Sequence, residues 1–146
     1  MYRLLGMSNT PKYWSTAKKY LSKKDRVMFS LINKYKSPSE TILTSRKDVF
    51  FSLCKSIIGQ QISVAAANSV FSKFEKVCSG KINARNVNKL SFQTLKKCGL
   101  SRQKVRGIKD LAKKIITKEF KPQLIKKMND EEAIEYLSNL KQIGRW

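Results

Sequence analysis

Side chains suited to hydrolytic or metal chemistry are few in this chain. It contains no histidine, so neither an imidazole base nor the usual zinc ligand is present. Its four aspartates have structural interpretations: Asp25 and Asp48 are placed to cap helices, Asp110 to form surface ion pairs, and Asp130 to face a helix dipole. We therefore predict no catalytic residue and no metal site among the 146 residues.

Basic side chains are the more informative group. The chain has 31 Lys and Arg against 10 Asp and Glu, a formal net charge of +21, which would concentrate a polyanion at its surface. Arg102, Lys104 and Arg106 form the densest basic patch, and Asp110 lies four residues from both Arg106 and Lys114. Nucleic acid is the favoured partner. The alternative is a solvated face enriched in lysine by an AT-rich genome, and a peripheral membrane role is weaker because the basic positions are spread over many helices.

The three cysteines, Cys54, Cys78 and Cys98, are 24 and 20 residues apart, which predicts neither a disulfide framework nor a zinc knuckle. We expect a reducing, cytoplasmic compartment and no required cofactor. No apolar run is long enough for a membrane span or a secretory signal. The predicted protein is soluble and monomeric, and nucleoid-associated if bacterial.

The elements that must position these side chains are predicted to be helical throughout, giving an all-α fold. Ser22 with Asp25 resembles a capping box before a helix with an apolar face at Val27, Met28, Leu31, Ile32 and Tyr35. A second box is predicted for Ser45 with Asp48, and further caps at Ser63, Ser91, Ser101 and, with Glu132, Asn129. The segment "GQQIS" (residues 59–63) then lies at a junction between two helices. From the residues alone, Gln60 and Gln61 are best interpreted as capping the turn at Gly59.

Three ordered segments, "FFSLCKSIIGQQISVAAANSVFSKF", "LSFQTLKKCGLSRQKVRGIKDLA" and "LKQIGRW", resemble DNA-3-methyladenine glycosylase II, in the helix-hairpin-helix (HhH-GPD) superfamily of base-excision DNA glycosylases. The resemblance runs from about Tyr13 to Trp146. It implies a single helical unit in which residues 1–44 are N-terminal helices packing on a carboxy-terminal half outside this sequence. Residues 45–146 would be the amino-terminal part of the HhH-GPD domain, ending in the first half of the hairpin.

The resemblance implies an enzyme that flips alkylated bases such as 3-methyladenine out of double-stranded DNA and hydrolyses the N-glycosidic bond. Because flipping costs a few kcal/mol of stacking and pairing, such enzymes fill the vacated gap. Gln61 matches the family's intercalating wedge, and Gln60 would face the opened base pair. Arg102 and Lys104 would contact the DNA backbone.

The terminal "KQIGRW" resembles the family's hairpin turn, whose backbone N–H groups and a monovalent cation hold phosphate. Gly144 matches the second turn glycine, and Arg145 beside it is assigned to DNA binding. Gln142 stands where the family usually has another glycine, so either the turn needs no positive φ there or the phosphate grip is altered, and cation binding is in doubt. Trp146 matches an aromatic residue of the damaged-base pocket, where it would stack on a cationic methylated base. The alternative is loose packing on the last helix.

The family's catalytic aspartate is expected beyond Trp146, so the resemblance implies that this chain lacks the catalytic segment. Two hypotheses stay open. In the first, these residues are the amino-terminal part of a longer glycosylase; in the second, the product is a non-catalytic basic DNA-binding remnant. For the isolated chain we expect exposed apolar surface on the first helices, whose partners would be missing, and aggregation.

Overall fold

The computed structural model describes residues 13–35 and 48–145, and within these residues every regular element is a helix. The predicted all-α fold is therefore confirmed for this part of the chain. The chain divides into two compact units, residues 1–47 and 48–146. Among the described residues, no helix is long and apolar enough to cross a membrane. The boundary predicted between residues 44 and 45 falls outside the described ranges.

The described part of the first unit, residues 13–35, contains two helices, α1 (Trp14–Lys24) and α2 (Arg26–Lys34), joined at one residue. Asp25 has extended backbone angles and its carboxylate accepts a hydrogen bond from the Met28 amide at 2.9 Å, so Asp25 is the N-cap of α2. The predicted box with Ser22 as cap is wrong, because Ser22 lies inside α1. The apolar face predicted to be inward contains no buried residue, and Val27 is 67% exposed.

Six α-helices and one 3-10 helix are found in residues 48–145 of the second unit. They are α3 (Val49–Gly59), α4 (Val64–Val77), α5 (Ala84–Lys89), α6 (Phe92–Lys97), α7 (Arg102–Ile116), the 3-10 helix (Pro122–Lys127) and α8 (Asp130–Ser138). Side-chain caps occur as predicted at Ser63, Ser91, Ser101 and Asn129 with Glu132. Asp48 is itself the N-cap of α3, and Ser45 of the predicted box lies outside the described residues. Helix α5, capped by Asn83, was not predicted.

Helix α7 is central to this unit and packs against α3, α5 and α6. One face of α7 is apolar and buried at Val105, Ile108, Leu111 and Ala112. The basic side chains at 102, 106 and 113 are exposed. The core continues into α3 and α4 through Ile57, Ile58 and Phe74, each at most 1% exposed. This packing fixes the C-terminus of α3 relative to the N-terminus of α7.

The segment after α7 returns to the same core. Phe120 is buried and stacks on Tyr136 of α8, with ring centroids 5.1 Å apart. The Tyr136 hydroxyl accepts a hydrogen bond from the Lys121 amide at 2.9 Å. Leu140, just after α8, is also buried. These contacts hold the chain that follows α8 against α7.

All three cysteine side chains are buried in this unit. Burial, assisted by the nearby Cys98 and Glu75, raises the pKa of Cys78 to about 11. Burial likewise raises the pKa of Cys54 and of Cys98. The thiols are therefore protonated at neutral pH and serve as small apolar side chains in the core.

Candidate nucleic-acid interface

The connection between α3 and α4, residues 59–63, is called here the 59–63 loop. Gln61 is exposed and has a φ of 57°, in the left-handed region that is costly for a residue with a Cβ. Ser63 follows with extended angles, and its hydroxyl accepts a hydrogen bond from the Ala66 amide at 3.2 Å. Ile62 between them is 40% exposed. The loop therefore presents a polar and then an apolar side chain at a strained turn between two helices.

Gln60 is the C-cap of α3, as the interpretation from the residues alone predicted. It also makes a long-range contact: its side-chain amide donates a hydrogen bond to the Gln142 carbonyl at 2.7 Å. This bond joins the 59–63 loop to the segment after α8, called here the 139–145 turn. Contact between Gln60 and an opened base pair stays a prediction.

The 139–145 turn adopts a positive φ at Gln142, 68°, although this residue has a Cβ. The alternative in which this position needs no positive φ is thus wrong. The turn lies close to α7 because position 107 is glycine: a Cβ there would be 2.8 Å from the Gln142 Cγ and 3.2 Å from the Lys141 carbonyl. Gln142 therefore adopts a positive φ without being glycine, and cation binding there stays a prediction.

The remaining predicted residues of the turn have different surroundings. Gly144 is exposed. Arg145 donates from its guanidinium to the Glu131 carboxylate of α8, and both side chains are largely exposed. Such an exposed ion pair contributes little to stability. Trp146, predicted to line a base pocket, lies outside the described residues.

Lys104 lies on α7 but its ammonium group is turned to the 59–63 loop. It donates hydrogen bonds to the Ile58 carbonyl at 2.8 Å and the Gln60 carbonyl at 2.7 Å. Burial lowers the pKa of Lys104 from its usual value. The structure therefore gives this predicted DNA contact a role inside the protein, while Arg102 and Arg106 on the same helix are exposed.

A groove of about 640 Å³ runs between α7 and the 139–145 turn. Its basic lining residues are Arg106, Lys109, Lys113 and Lys141. Asp110, also in the lining, pairs with Lys114 at 3.9 Å, as predicted, and with Lys141 at 3.2 Å. The groove is therefore predominantly basic and continuous with the turn.

The loop, the N-terminal part of α7 and the turn thus form one surface, called here the loop-and-turn surface. Sequence reasoning found the two Gln positions and the turn, but missed Gly107 and Lys141, which hold the turn on α7. The signal for Gly107 was a glycine within an otherwise strong helix, where glycine costs about 1 kcal/mol relative to alanine and often has a packing reason.

Comparison with known proteins places this surface in context. The family model described as HhH-GPD superfamily base excision DNA repair protein matches residues 54–144. The chain is 29% identical over 137 residues to the alkylbase DNA glycosidase-like protein mag2 of Schizosaccharomyces pombe, which covers 91% of this chain and 64% of that protein. It is 30% identical over 108 residues to DNA-3-methyladenine glycosylase 1 of the same yeast. This match covers 69% of this chain and 46% of that protein. The chain thus spans less than two thirds of either relative.

Solved structures agree with these matches. The S. pombe 3-methyladenine DNA glycosylase Mag1 in complex with abasic DNA superposes with a TM-score of 0.78 at 25% identity, covering 90% of this chain and 65% of that one. A 3-methyladenine DNA glycosylase from Archaeoglobus fulgidus gives a TM-score of 0.68 at 27% identity. The superposition covers 94% of this chain and 55% of that one.

Proposed function

Because the chain belongs to the HhH-GPD superfamily of base excision DNA repair proteins, we propose that its loop-and-turn surface binds double-stranded DNA at alkylated bases. The proposed activity is that of a DNA-3-methyladenine glycosylase, which flips such a base out of the duplex and hydrolyses its N-glycosidic bond. The relatives that match over most of the chain carry names of this class.

The observation that carries the proposal is the hydrogen bond from the Gln60 side chain to the Gln142 carbonyl, 2.7 Å long. It brings an exposed, strained loop and a backbone turn onto one surface although they are 82 residues apart in sequence. A rigid protruding side chain is what gap filling requires, since a loop that recoils would lose the energy needed to open a base pair. Gln61 is the side chain in that position.

The electrostatics support a DNA partner. A net charge of +21 provides long-range attraction, and Arg102 and Arg106 lie exposed on the helix that carries the loop contacts. Backbone contacts of this kind position the protein without reading sequence, which suits an enzyme that must find a lesion in any context. Gln61 would supply the contact specific to the vacated site.

The test compares two duplexes of one sequence, one with a stable abasic analogue and one undamaged. The chain is expected to bind the abasic duplex about 10-fold more tightly, because no base pair must be opened there. Gln61→Ala should remove most of this preference, while Gln123→Ala, at an exposed glutamine on the 3-10 helix, should leave it unchanged. Equal affinity of the unsubstituted chain for both duplexes would refute the proposed function.

A second assay addresses catalysis. The aspartates at 25 and 48 cap helices and Asp110 is ion-paired, which favours an alternative, a basic DNA-binding protein without glycosylase activity. Release of 3-methyladenine from methylated DNA by the purified chain would support the enzyme and exclude that alternative. Abasic preference without base release would support the alternative.

A further inference from the structure

Lys104 makes a contact that DNA binding does not explain. Its ammonium group reaches from α7 to two backbone carbonyls, Ile58 and Gln60, at the C-terminus of α3. We propose that Lys104 is a positioning residue, which holds the 59–63 loop so that Gln61 is presented to DNA. This inference rests on the proposed function, because it assigns the loop a role in gap filling.

The first support is that the C-terminal end of α3 carries partial negative charge that its own side chains do not offset. The last carbonyls of an α-helix have no partner within the helix, and the helix dipole places partial negative charge on them. The last turn of α3 contains no basic residue of its own. Lys104 supplies the missing positive charge from a residue 44 to 46 positions later in the chain.

The second support is that the loop is held on more than one side. The Gln60 carbonyl accepts from Lys104, and the Gln60 side chain donates to Gln142, so this residue is held by α7 and by the 139–145 turn. On the other side, Ser63 is held by its bond from the Ala66 amide. Gln61 lies between these points, and its left-handed backbone is kept only if both sides stay fixed.

Lys109 provides a matched control on the same helix. Its ammonium group also donates to two carbonyls, Asn88 at 2.7 Å and Leu90 at 2.8 Å, which lie at the C-terminal end of α5. Replacing either lysine by methionine removes one charge and two hydrogen bonds of the same type. Only Lys104, however, holds the loop that carries Gln61.

The experiment compares Lys104→Met and Lys109→Met in the full chain, by amide hydrogen exchange and by binding to the abasic and undamaged duplexes. In Lys104→Met, exchange at residues 57–59, the last helical amides of α3, should become about 10-fold faster and the abasic preference should fall about 10-fold, as for loss of hydrogen bonds from a charged donor. In Lys109→Met, faster exchange should be confined to residues near 88–90 and the preference should be kept. Affinity for undamaged DNA should fall equally in both.

Equal effects of the two substitutions on abasic preference, or unchanged exchange at residues 57–59 in Lys104→Met, would overturn the proposal. Lys104→Arg, which keeps the charge and the donors, should restore most of the preference. If Lys104→Met does not fold, Lys104→Gln, with one amide donor, takes its place with the same expected direction. Should the unsubstituted chain show no abasic preference, the proposed function fails, while the exchange measurement still decides whether Lys104 holds the loop.

Discussion

The 59–63 loop and the 139–145 turn each contain one glutamine with left-handed backbone angles, but the residues around it differ. Each contains a glutamine in the left-handed region, Gln61 at a φ of 57° and Gln142 at 68°. Gln142 packs closely on Gly107 of α7. Gln61 is exposed, and a Cβ built on the neighbouring Gly59 meets nothing within 4 Å. Both glutamines are exposed, but only the Gln142 side chain lies against a neighbouring helix.

We therefore expect the turn to position the surface and the loop to contact a ligand. The turn is fixed by the absence of a side chain at position 107 and by the ion pair of Lys141 with Asp110. The loop is fixed only at its ends, by hydrogen bonds to Gln60 and Ser63, and its middle is free to meet a ligand. Substitutions in the turn should therefore affect stability first, and substitutions in the loop should affect recognition first.

The largest contrast is expected from the same substitution at two glycines. Gly107→Ala places a Cβ 2.8 Å from the Gln142 side chain and 3.2 Å from the Lys141 carbonyl, so the turn must shift, at a cost of about 1–2 kcal/mol. Gly59→Ala has open space at the end of α3 and should stabilise by up to about 1 kcal/mol through helix propensity. Thermal or denaturant unfolding measures both changes. A shift of the same sign in both variants would contradict the close packing of the turn.

A second contrast comes from giving each strained position a glycine. Gln142→Gly and Gln61→Gly should each relieve backbone strain, with a net gain of about 0.5 kcal/mol once the greater freedom of the unfolded chain is counted. Gln142→Gly should keep the abasic preference, whereas Gln61→Gly should lose it about 10-fold because the inserted side chain is gone. Loss of preference in Gln142→Gly alone would reverse the assignment of the two segments.

The features predicted correctly from the sequence are those that depend on residues close together in the chain. The caps at Ser63, Ser91 and Ser101 and the box of Asn129 with Glu132 are local hydrogen bonds, and all are confirmed. The all-α fold and the family are confirmed as well. Ser22 was wrongly placed as a cap because α1 and α2 are joined at the single residue Asp25, which leaves no loop for a separate cap.

Contacts between distant residues could not be predicted in the same way. Periodicity indicated an apolar face on α2, but not whether anything covers it, and none of its residues is buried. Lys104 and Lys109 belong to a basic face whose pattern suggested solvent or phosphate, yet both donate to helix-end carbonyls. The partner of a long flexible side chain is decided by which carbonyls the fold brings within reach, and a pattern along one helix does not contain that information.

The smallest expected effect tests the ion pair that holds the turn on α7. Lys141→Met removes the ion-pair partner of Asp110 Oδ1 and leaves the carboxylate with Lys114, which lies 3.9 Å from Oδ2, the oxygen that is buried without a hydrogen bond. Because the Lys141 side chain is 66% exposed, the loss should be below about 1 kcal/mol at low salt and should shrink further at 1 M salt, where charges are screened within about 3 Å. Lys127→Met, at an exposed lysine of the 3-10 helix, controls for the loss of one charge from a strongly basic chain. If Lys141→Met destabilises no more than this control, Gly107 alone accounts for the position of the turn, and the groove beside it is shaped by packing without help from charge.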